Sequence, residues 1–412
     1  MFANVRDERC LLYMKKKVLL ITQYFLPDIN AASFRMNDLY HALLKEGFDV
    51  TVITAEPQKY TAGEGQESAN IHRLSLSKVK KKSFIRYLEN YFGFMFKSAF
   101  HAIFRLRRQK YDYVIATSPP LFVALGGYAA AFAKRAKFIV DIRDVWPDSA
   151  VSAGMLKQNG MPYKLARIAE KFIYKRAHII TCVSRPMAEY IKEISKHERI
   201  RVLYNGISPD SLPENLPQTS STPDNGSLTV GYAGNIGIVQ NTDILLRAAQ
   251  LPEIINPDVA VDFLLIGDGI ERERIESEAI ASGTNAFTFT GVLPKQEALA
   301  MLQRSDLLFF SLIEDPIFEK TIPSKLFDYL LLNKPILTSI KGEGREILEQ
   351  LGCAIFFDPN SPESLVQAIQ LYQANKQMYD EAALGNRDFA QQTFNRRDLF
   401  RKFLSGLDGD KR

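Results

Sequence analysis

The segment that decides the fold is LTVGYAGNIG, residues 228–237, in which a short apolar run leads directly into a glycine turn. Residues 263–269, FLLIGDG, repeat this arrangement, and a helical pattern follows each turn. Buried parallel strands form continuous apolar runs, and glycine lets the backbone of a turn approach its neighbours closely. Both segments therefore predict strand–turn–helix units of a parallel sheet.

The alternation of short apolar runs and helical patterns continues in both directions from this segment. In the second half of the chain the predicted strands are 228–233, 260–266, 287–290, 306–311, 335–338 and 354–357. In the first half they are 17–25, 48–54, 112–116, 137–141, 177–183 and 200–203. This pattern predicts an α/β protein with two doubly wound, Rossmann-like parallel-sheet domains.

A connector rich in Pro, Ser, Asn and Asp separates the two series of strands, and 412 residues exceed the usual size of one hydrophobic core. Open sheets bind ligands beyond the carboxyl ends of their strands, so we expect the site in a cleft between the domains. The predicted parts are a tail or extended start (1–14), an N-terminal domain (15–208), the linker (209–227), a C-terminal domain (228–394) and a last helix (395–412). That helix either crosses back to the first domain or simply ends the chain.

The composition is typical of a folded globular protein, with 46% hydrophobic and 24% charged residues. A net charge of +5 is small, and no nucleic-acid recognition motif is found, which argues against a nucleic-acid binder. Cys10, Cys182 and Cys353 lie far apart, so we expect reduced cysteines of a cytosolic protein. No apolar run of about 18 residues occurs, and no transmembrane helix is predicted.

The two glycine turns are candidate phosphate sites, because amide hydrogens before a helix point at an anion. Glycine required only for steric reasons is the alternative interpretation. The second turn departs from the dinucleotide signature, since Glu271 and Arg272 stand where its third glycine is needed, which argues against a nicotinamide dehydrogenase. The candidate donor-binding residues here are Gly234, Asn235, Gly237, Gln240, Gly267, Asp268 and Gly269.

A third motif, Pro323-Ser324-Lys325, opens a predicted helix. Proline suits a first helical turn, and Ser324 and Lys325 would then lie at the positive end of the helix, which favours a diphosphate. Asp328 lies more than one turn further and is predicted to chelate two ribose hydroxyls. A solvated helix with a surface lysine and carboxylate is the alternative.

The segment DIRDVWPDS, residues 141–149, follows a predicted strand of the first domain. Charged groups at the carboxyl end of such a strand are candidates for catalysis or substrate binding, and we assign Arg143 and Asp144 to that role. A structural ion pair between Arg143 and Asp148 is the alternative. Asp141 and Asp144 alone would make a poor magnesium site, so no metal is predicted.

Residues 84–108 are rich in aromatic side chains and follow a lysine cluster. On a helix, one face would carry basic residues and another Phe84, Leu88, Tyr91, Met95, Ala99 and Ile103. Aromatic amphipathic helices with basic flanks bind anionic membrane surfaces, whereas a helix packed on its own sheet is the alternative. The predicted membrane residues are Lys80, Lys81, Lys82, Arg86, Lys97 and Arg108.

Taken together, several motifs resemble the retaining glycosyltransferases of family 4, which have the GT-B fold. In chain order they are Tyr24-Phe25-Leu26-Pro27, Arg143-Asp144-Val145-Trp146-Pro147-Asp148-Ser149, Tyr204-Asn205-Gly206, Gly234-Asn235-Ile236-Gly237, Gly267-Asp268-Gly269, Phe289-Thr290-Gly291 and Pro323-Ser324-Lys325. The branch it looks most like builds bacterial surface polysaccharides, as colanic-acid and O-antigen fucosaminyl transferases do.

The resemblance implies a nucleotide diphosphate sugar as donor, with UDP the first expectation, bound by the C-terminal domain without a metal or other cofactor. It implies a saccharide acceptor, polyprenyl-linked, in O-antigen, capsule or exopolysaccharide synthesis. The protein would then be cytoplasmic and peripheral on the inner membrane. By the same resemblance, the acceptor hydroxyl attacks the front face and the departing phosphate acts as base.

Single positions carry over with departures from the family pattern. The family has two acidic residues eight positions apart. Asp328 stands at the second of these positions, whereas Lys320 stands at the first and would instead neutralise phosphate. Family members commonly have a phosphate-binding basic residue shortly after the first glycine turn, where this chain has Ile238 and Val239. Lys325 would then supply most of the positive charge that compensates the diphosphate. The remaining assignments are Val292 and Pro323 to the donor, Asn30, Arg35 and Trp146 to the acceptor, and Arg143 to the family's histidine position. Asn30-Ala31-Ala32 replaces a glycine pair in the first loop.

Three other functions are weighed against a transferase. A glycosidase needs two carboxylates at a set separation but has no use for a diphosphate site. A nucleotide-sugar 2-epimerase of the same fold would change the sugar without an acceptor. A catalytically silent nucleotide-sugar-binding subunit would bind donor without turnover.

Overall fold

Two parallel sheets organise the chain in the computed structural model, which describes residues 15–28, 30–57, 69–76, 84–208, 227–251 and 260–407, with the backbone alone for 84–88. The first sheet has seven strands in the order β3-β2-β1-β4-β5-β6-β7. They are β1 (Lys17–Ile21), β2 (Asp49–Ala55), β3 (Ile71–Leu74), β4 (Tyr113–Ser118), β5 (Lys137–Ile142), β6 (Ile179–Cys182) and β7 (Ile200–Val202). The sequence did not predict β3, a four-residue strand at the sheet edge.

The second sheet has six strands in the order β10-β9-β8-β11-β12-β13, all in parallel pairs. They are β8 (Leu228–Ala233), β9 (Val261–Ile266), β10 (Phe287–Gly291), β11 (Leu307–Phe310), β12 (Ile336–Thr338) and β13 (Ala354–Phe356). The order reverses at β8, which pairs with β9 on one side and β11 on the other. Ligands bind at this kind of switch point in open sheets, and both predicted glycine turns follow strands there. The two-sheet α/β architecture is confirmed.

Helices connect the strands. In chain order they are α1 (Ala31–Lys45), α2 (Phe84–Phe100), α3 (Leu121–Lys134), α4 (Asp148–Ser152), α5 (Met161–Arg176), α6 (Arg185–Ser195), α7 (Asp243–Ala249), α8 (Arg272–Ala281), α9 (Lys295–Leu302), α10 (Ser324–Leu330), α11 (Glu343–Leu351), α12 (Pro362–Ala374), α13 (Lys376–Ala383), α14 (Asn386–Thr393) and α15 (Arg396–Gly406). The sequence missed α4, α13 and α14. Among the residues described, no helix is both long and apolar enough to cross a membrane.

The chain divides into two compact units. Residues 1–141, 172–180 and 400–412 form the first, and residues 142–171 and 181–399 form the second. In the first unit, the end of α15 contacts the sheet region, because Tyr113 donates a hydrogen bond to the Leu407 carbonyl at 3.3 Å. Of the predicted linker, all but Ser227 lies outside the described residues, so its domain boundaries stay a prediction.

Strand burial explains the apolar runs seen in the sequence. Val18, Leu19 and Leu20 of β1 are buried, as are Val230 and Tyr232 of β8 and Leu308 of β11. Cys182 and Cys353 are buried free thiols in these cores, and Cys10 lies outside the described residues. A parallel sheet covered on both faces buries its strands in this way, which is why continuous apolar runs mark its strands in sequence.

Candidate functional site

The two glycine turns of the second sheet interlock. Ile236 donates a backbone hydrogen bond to Asp268 at 2.9 Å, and Gly234 donates one to Ile266 at 2.8 Å. Gly267 has a φ of +137°, and a Cβ there would lie 1.9 Å from the carbonyl oxygen of Gly234. Only glycine satisfies both conditions, so the turns after β8 and β9 form one backbone unit.

A side-chain contact completes the first turn. Asn235 donates an amide hydrogen bond to Gln240 at 2.7 Å, across the short 3₁₀ turn Ile238–Gln240. A Cβ at Gly237 would lie 2.5 Å from the Asn235 amide nitrogen, so glycine leaves room for this contact. Ile238 is exposed where the family places a cation, in agreement with the departure noted in the sequence.

Lys325 lies across the first glycine turn. A Cβ at Gly234 would fall 2.4 Å from Cε and 2.5 Å from Nζ of this lysine, so the missing side chain is what admits it. Its Nζ also lies 5.1 Å from the centre of the Tyr232 ring, within the range of a cation–π contact. The structure therefore brings together a glycine turn and a cation that are 91 residues apart in the chain.

The Lys325 side chain is partly exposed, and its ammonium group lies in a crowded environment beside the turn. Burial lowers its pKa to about 8, and the negative charge of Asp328 offsets part of this effect. Among the residues described, no carboxylate lies within ion-pair distance of Lys325. An anion bound at the turn would supply the missing counter-charge and stabilise the protonated form.

Asp328 makes an ion pair that the sequence did not predict. Its Oδ1 accepts a hydrogen bond from Lys295 Nζ at 2.7 Å, and both side chains are partly exposed. Lys295 begins α9 directly after Pro294, and that position at a helix start beyond a strand was the available signal. Ribose chelation by Asp328 stays a prediction, and in the structure this carboxylate is paired with Lys295.

Tyrosine hydroxyls fix α10 to the sheet. The Tyr329 hydroxyl accepts a hydrogen bond from the Ala233 amide at 3.0 Å and donates one to the Phe309 carbonyl at 3.1 Å. Tyr232 donates to the carbonyl of Asn235. Because Tyr329 follows Asp328 directly, these bonds hold the helix that carries Lys325 and Asp328 at the ends of β8 and β11.

The other predicted donor residues lie around this cluster in different ways. Val292 is exposed just after Gly291, whose carbonyl accepts the Gly267 amide at 2.8 Å. Pro323 is the N-cap of α10, which places Ser324 and Lys325 in its first turn as predicted. The Lys320 ammonium lies 5.4 Å from the Tyr190 ring centre, and its carbonyl accepts a hydrogen bond from Ser184.

Asp144 holds its own turn. Oδ1 accepts the Val145 amide at 2.8 Å, and Oδ2 accepts the Ser149 hydroxyl at 2.7 Å. Burial raises the pKa of this carboxyl, while these hydrogen bonds and the nearby Arg143 oppose the rise. Both oxygens are engaged, so Asp144 shapes the turn that presents the partly exposed Arg143 and Trp146.

Asp148 does not make the ion pair considered in the sequence. Its carboxylate is bound by Arg167, at 2.5 and 2.6 Å, and by the hydroxyl of Tyr163 at 2.7 Å. These bonds lower the pKa of Asp148 despite the opposing effect of burial. The alternative pair of Arg143 with Asp148 is therefore wrong, because Arg167 already occupies this carboxylate.

Two residues assigned to the acceptor have structural roles in the first unit. Arg35 is 1% exposed and makes a bidentate pair with Asp141, at 2.9 and 3.0 Å. Asn30 caps α1, since its Oδ1 accepts the Ser33 amide at 3.0 Å. A direct acceptor contact by Arg35 would require the buried pair to open, so Arg35 is not carried into the proposed site.

The predicted membrane residues are only partly covered by the structure. Lys80, Lys81 and Lys82 lie outside the described residues, as does the side chain of Arg86. Lys97 is exposed and donates a hydrogen bond to the Ser75 carbonyl at 2.7 Å, and Arg108 is exposed. Within the described part of the chain, no group of three or more His, Cys, Asp or Glu side chains could hold a metal ion.

The two Rossmann-like parallel sheets have the GT-B fold, which the chain shares with solved glycosyltransferases. The model of Glycosyltransferase Family 4 matches residues 33–211, and that of Glycosyl transferases group 1 matches residues 227–375. The chain belongs to glycosyltransferase family 4. The resemblance to family 4 noted in the sequence is confirmed.

Similar proteins include glycosyltransferases, one of them named for colanic acid biosynthesis. The glycosyltransferase WbjE of Pseudomonas aeruginosa is 26% identical over 270 residues, which are 64% of this chain and 66% of that protein. WcaI of Escherichia coli K12, named as a colanic acid biosynthesis glycosyl transferase, is 24% identical over 95% of this chain and 100% of its own length. HepE of Anabaena, solved with UDP and glucose, matches 96% of this chain and 100% of its own, with a TM-score of 0.69 and 14% identity.

Proposed function

We propose that this glycosyltransferase moves a sugar, with retention, from a nucleoside diphosphate sugar to a saccharide acceptor. The observation that carries the proposal is Lys325 lying across Gly234, a partly buried cation at a turn where glycine leaves the backbone accessible. Charge-assisted hydrogen bonds from such a cation to a diphosphate are stronger than neutral ones. UDP is the proposed nucleotide, supported by the similarity to HepE, which was solved with UDP and glucose.

Each residue of the site has a proposed part in binding. Lys325 neutralises the diphosphate, the backbone of Gly234 and Gly267 approaches it, and Asp328 accepts hydrogen bonds from ribose hydroxyls. Lys295 holds Asp328 and limits the repulsion between that carboxylate and the ligand. The remaining donor contacts are assigned to Asn235, Gly237, Gln240, Asp268, Gly269, Val292, Lys320, Pro323 and Ser324.

The reaction breaks the bond between the sugar C1 and the phosphate oxygen, and a bond from the acceptor oxygen to C1 forms on the same face. The acceptor's proton passes to the departing phosphate. Negative charge grows on the leaving diphosphate in the transition state, and a preorganised cation at that position lowers the barrier. Arg143 and Trp146 are proposed to orient the sugar and the acceptor, while Asp144 holds their turn.

The proposed acceptor is a lipid-linked saccharide used in surface-polysaccharide synthesis at the cytoplasmic face of the inner membrane. The similarity over nearly the whole chain to WcaI, which is named for colanic acid biosynthesis, supports this branch. No metal or other cofactor is included, because Lys325 can supply the positive charge that a metal gives in other transferases.

The test is nucleotide binding followed by turnover. Melting temperatures of the purified protein would be measured with UDP, GDP, ADP, CMP and NAD⁺, since a ligand that binds only the folded state raises the melting temperature. We expect a rise with one nucleoside diphosphate, and then its acceptor-dependent release from the corresponding sugar nucleotide. A rise with NAD⁺ alone would contradict the proposal.

Turnover separates the remaining functions. An epimerase would change the sugar or release nucleotide equally well without any acceptor. A silent subunit would bind the sugar nucleotide and leave it intact with every acceptor offered. We expect the transferred sugar to keep the anomeric configuration that it had in the donor, as measured by NMR. A product with the inverted configuration would overturn the retaining step.

A further inference from the structure

A row of exposed phenylalanine side chains runs along α2 and the π-helical turn His101–Arg105 that follows it. Phe96 is 66% exposed, Phe100 is 55% exposed and Phe104 is 58% exposed, and Phe92 precedes them at the same spacing. The rings of Phe100 and Phe104 lie 4.8 Å apart, so the row is continuous at this end. Single exposed apolar residues are common on proteins, whereas a contiguous row of aromatic rings marks an interaction surface.

The opposite side of the helix explains why these rings face outward. Asn90, Phe94, Ser98 and Ala102 are buried, and they follow the same four-residue spacing. A Cβ at Gly126 would lie 2.9 Å from the Met95 carbonyl oxygen, so α2 and α3 pack closely at this glycine. Because the opposite side of α2 packs against α3, the side chains of the phenylalanine row point away from the core.

A π turn keeps the row in line. An α-helix rotates residues four apart by about 40° around its axis, so a row at this spacing drifts. The segment His101–Arg105 is π-helical, with Leu106 donating to the His101 carbonyl at 3.0 Å. The wider turn opposes this drift and keeps Phe104 beside Phe100.

The aromatic surface continues onto the neighbouring helices of the first unit. Phe92 stacks on Phe122 of α3 with ring centres 4.1 Å apart. Phe132, near the end of α3, is 76% exposed, and Tyr128 contacts both Phe132 and Phe172 at 6.3 and 5.1 Å. Exposed aromatic rings therefore lie on α2 and α3, and α5 contributes Phe172.

Positive charge is concentrated in the segment that carries the phenylalanine row. Residues 84–134 contain seven lysines and arginines but only two carboxylates, so this segment alone accounts for a charge equal to the +5 of the whole chain. Arg105, Arg107, Arg108 and Lys110 are exposed just beyond the phenylalanine row. A protein partner of acidic character would complement the charge but would still need an apolar core of matching shape.

We propose that the row formed by Phe92, Phe96, Phe100 and Phe104 inserts into the interface of an anionic lipid membrane. Aromatic rings enter the boundary between headgroups and acyl chains, and the arginines beside them attract anionic headgroups. The inserting residues differ from those predicted in the sequence: Tyr91, Met95, Ala99 and Ile103 are half-buried, and the exposed row lies one position further along. This inference does not depend on the donor site.

The test is co-sedimentation with vesicles of phosphatidylcholine, alone or mixed with phosphatidylglycerol. We expect the protein to bind the mixed vesicles, and the double variant Phe96→Ser with Phe100→Ser to bind about tenfold or more weakly. Arg107→Glu with Arg108→Glu should weaken binding to mixed vesicles and leave binding to neutral ones unchanged. The matched control, Ile280→Ser with Leu384→Ser, removes exposed apolar residues of the second unit and should bind as the parent protein does.

Two measurements on the same variants separate the outcomes. Unchanged UDP binding in the phenylalanine double variant shows that the donor site is intact, so that lost sedimentation reports on the membrane alone. Sedimentation equilibrium without lipid tests a second copy of the chain as the occupant. The proposal would be overturned if the parent protein were a dimer and the phenylalanine double variant a monomer. It would also be overturned if the variant and the parent bound vesicles equally well.

Discussion

Arg35 in the first unit and Lys325 in the second are both shielded cations near the ends of parallel strands, but their electrostatic surroundings differ. Arg35 forms a bidentate pair with Asp141, and both side chains are under 5% exposed. Lys325 has only the more distant charge of Asp328, and burial lowers its pKa to about 8. A buried charge with its partner in place is structural, whereas one that lacks a partner at a glycine turn is a candidate binding group.

The largest effect on stability is expected when the ion pair between Arg35 and Asp141 is broken. Arg35→Met should destabilise the protein by about 3–5 kcal/mol, because it leaves the Asp141 carboxylate buried without its cation. Urea denaturation followed by circular dichroism measures this loss. The double variant Arg35→Met with Asp141→Leu should regain most of it, since an apolar pair of similar volume replaces the ion pair. If Arg35→Met left the stability unchanged but abolished acceptor binding, Arg35 would contact the acceptor, as the sequence predicted.

A smaller loss of stability is expected in the turn that adjoins Lys325. Gly267→Ala should cost about 2–4 kcal/mol and abolish UDP binding, because its Cβ would overlap the Gly234 carbonyl at a φ of +137°. Gly283→Ala is the matched control, as its φ is also positive but no atom lies within 4 Å of the added carbon. Equal melting temperatures and equal UDP affinity in the two variants would contradict the interlocked turns.

The smallest effect sharpens the electrostatic side of the comparison. In the ligand-free protein Lys325 loses its proton as the pH rises through about 8, whereas a bound diphosphate raises the pKa of the ammonium group. UDP affinity should therefore fall above pH 8, by at most about tenfold per pH unit, with uptake of a proton on binding. Calorimetry in two buffers of different ionisation heat measures both. Lys325→Arg keeps its charge and should remove this pH dependence, and a flat profile in the parent protein would count against the assignment.

The fold was largely predictable because its signals are local. Each signal spans ten residues or fewer: the apolar runs at β1 and β8 do, and so do the glycine turns after β8 and β9. The short edge strand β3 has only four residues and half-buried side chains, so its sequence offered no comparable run.

The site was predictable only in part, because its contacts join distant segments. Lys325 and Gly234 were each identified, but their contact depends on how α10 packs on β8. Lys295 was missed because its partner Asp328 lies 33 residues further along. On α2 the helix was predicted, while its exposed face was set by packing on Gly126 of α3, which periodicity alone does not reveal.

The central claim is that Lys325 recognises the diphosphate, and the most direct measurement compares UDP with uridine by isothermal titration calorimetry. The parent protein and the control Lys376→Met, a change at an exposed lysine of α13, should bind UDP far more tightly than uridine. Lys325→Met should lose about ten- to a hundredfold in UDP affinity and leave uridine affinity unchanged. Equal losses for both ligands, or no loss for UDP, would contradict the account.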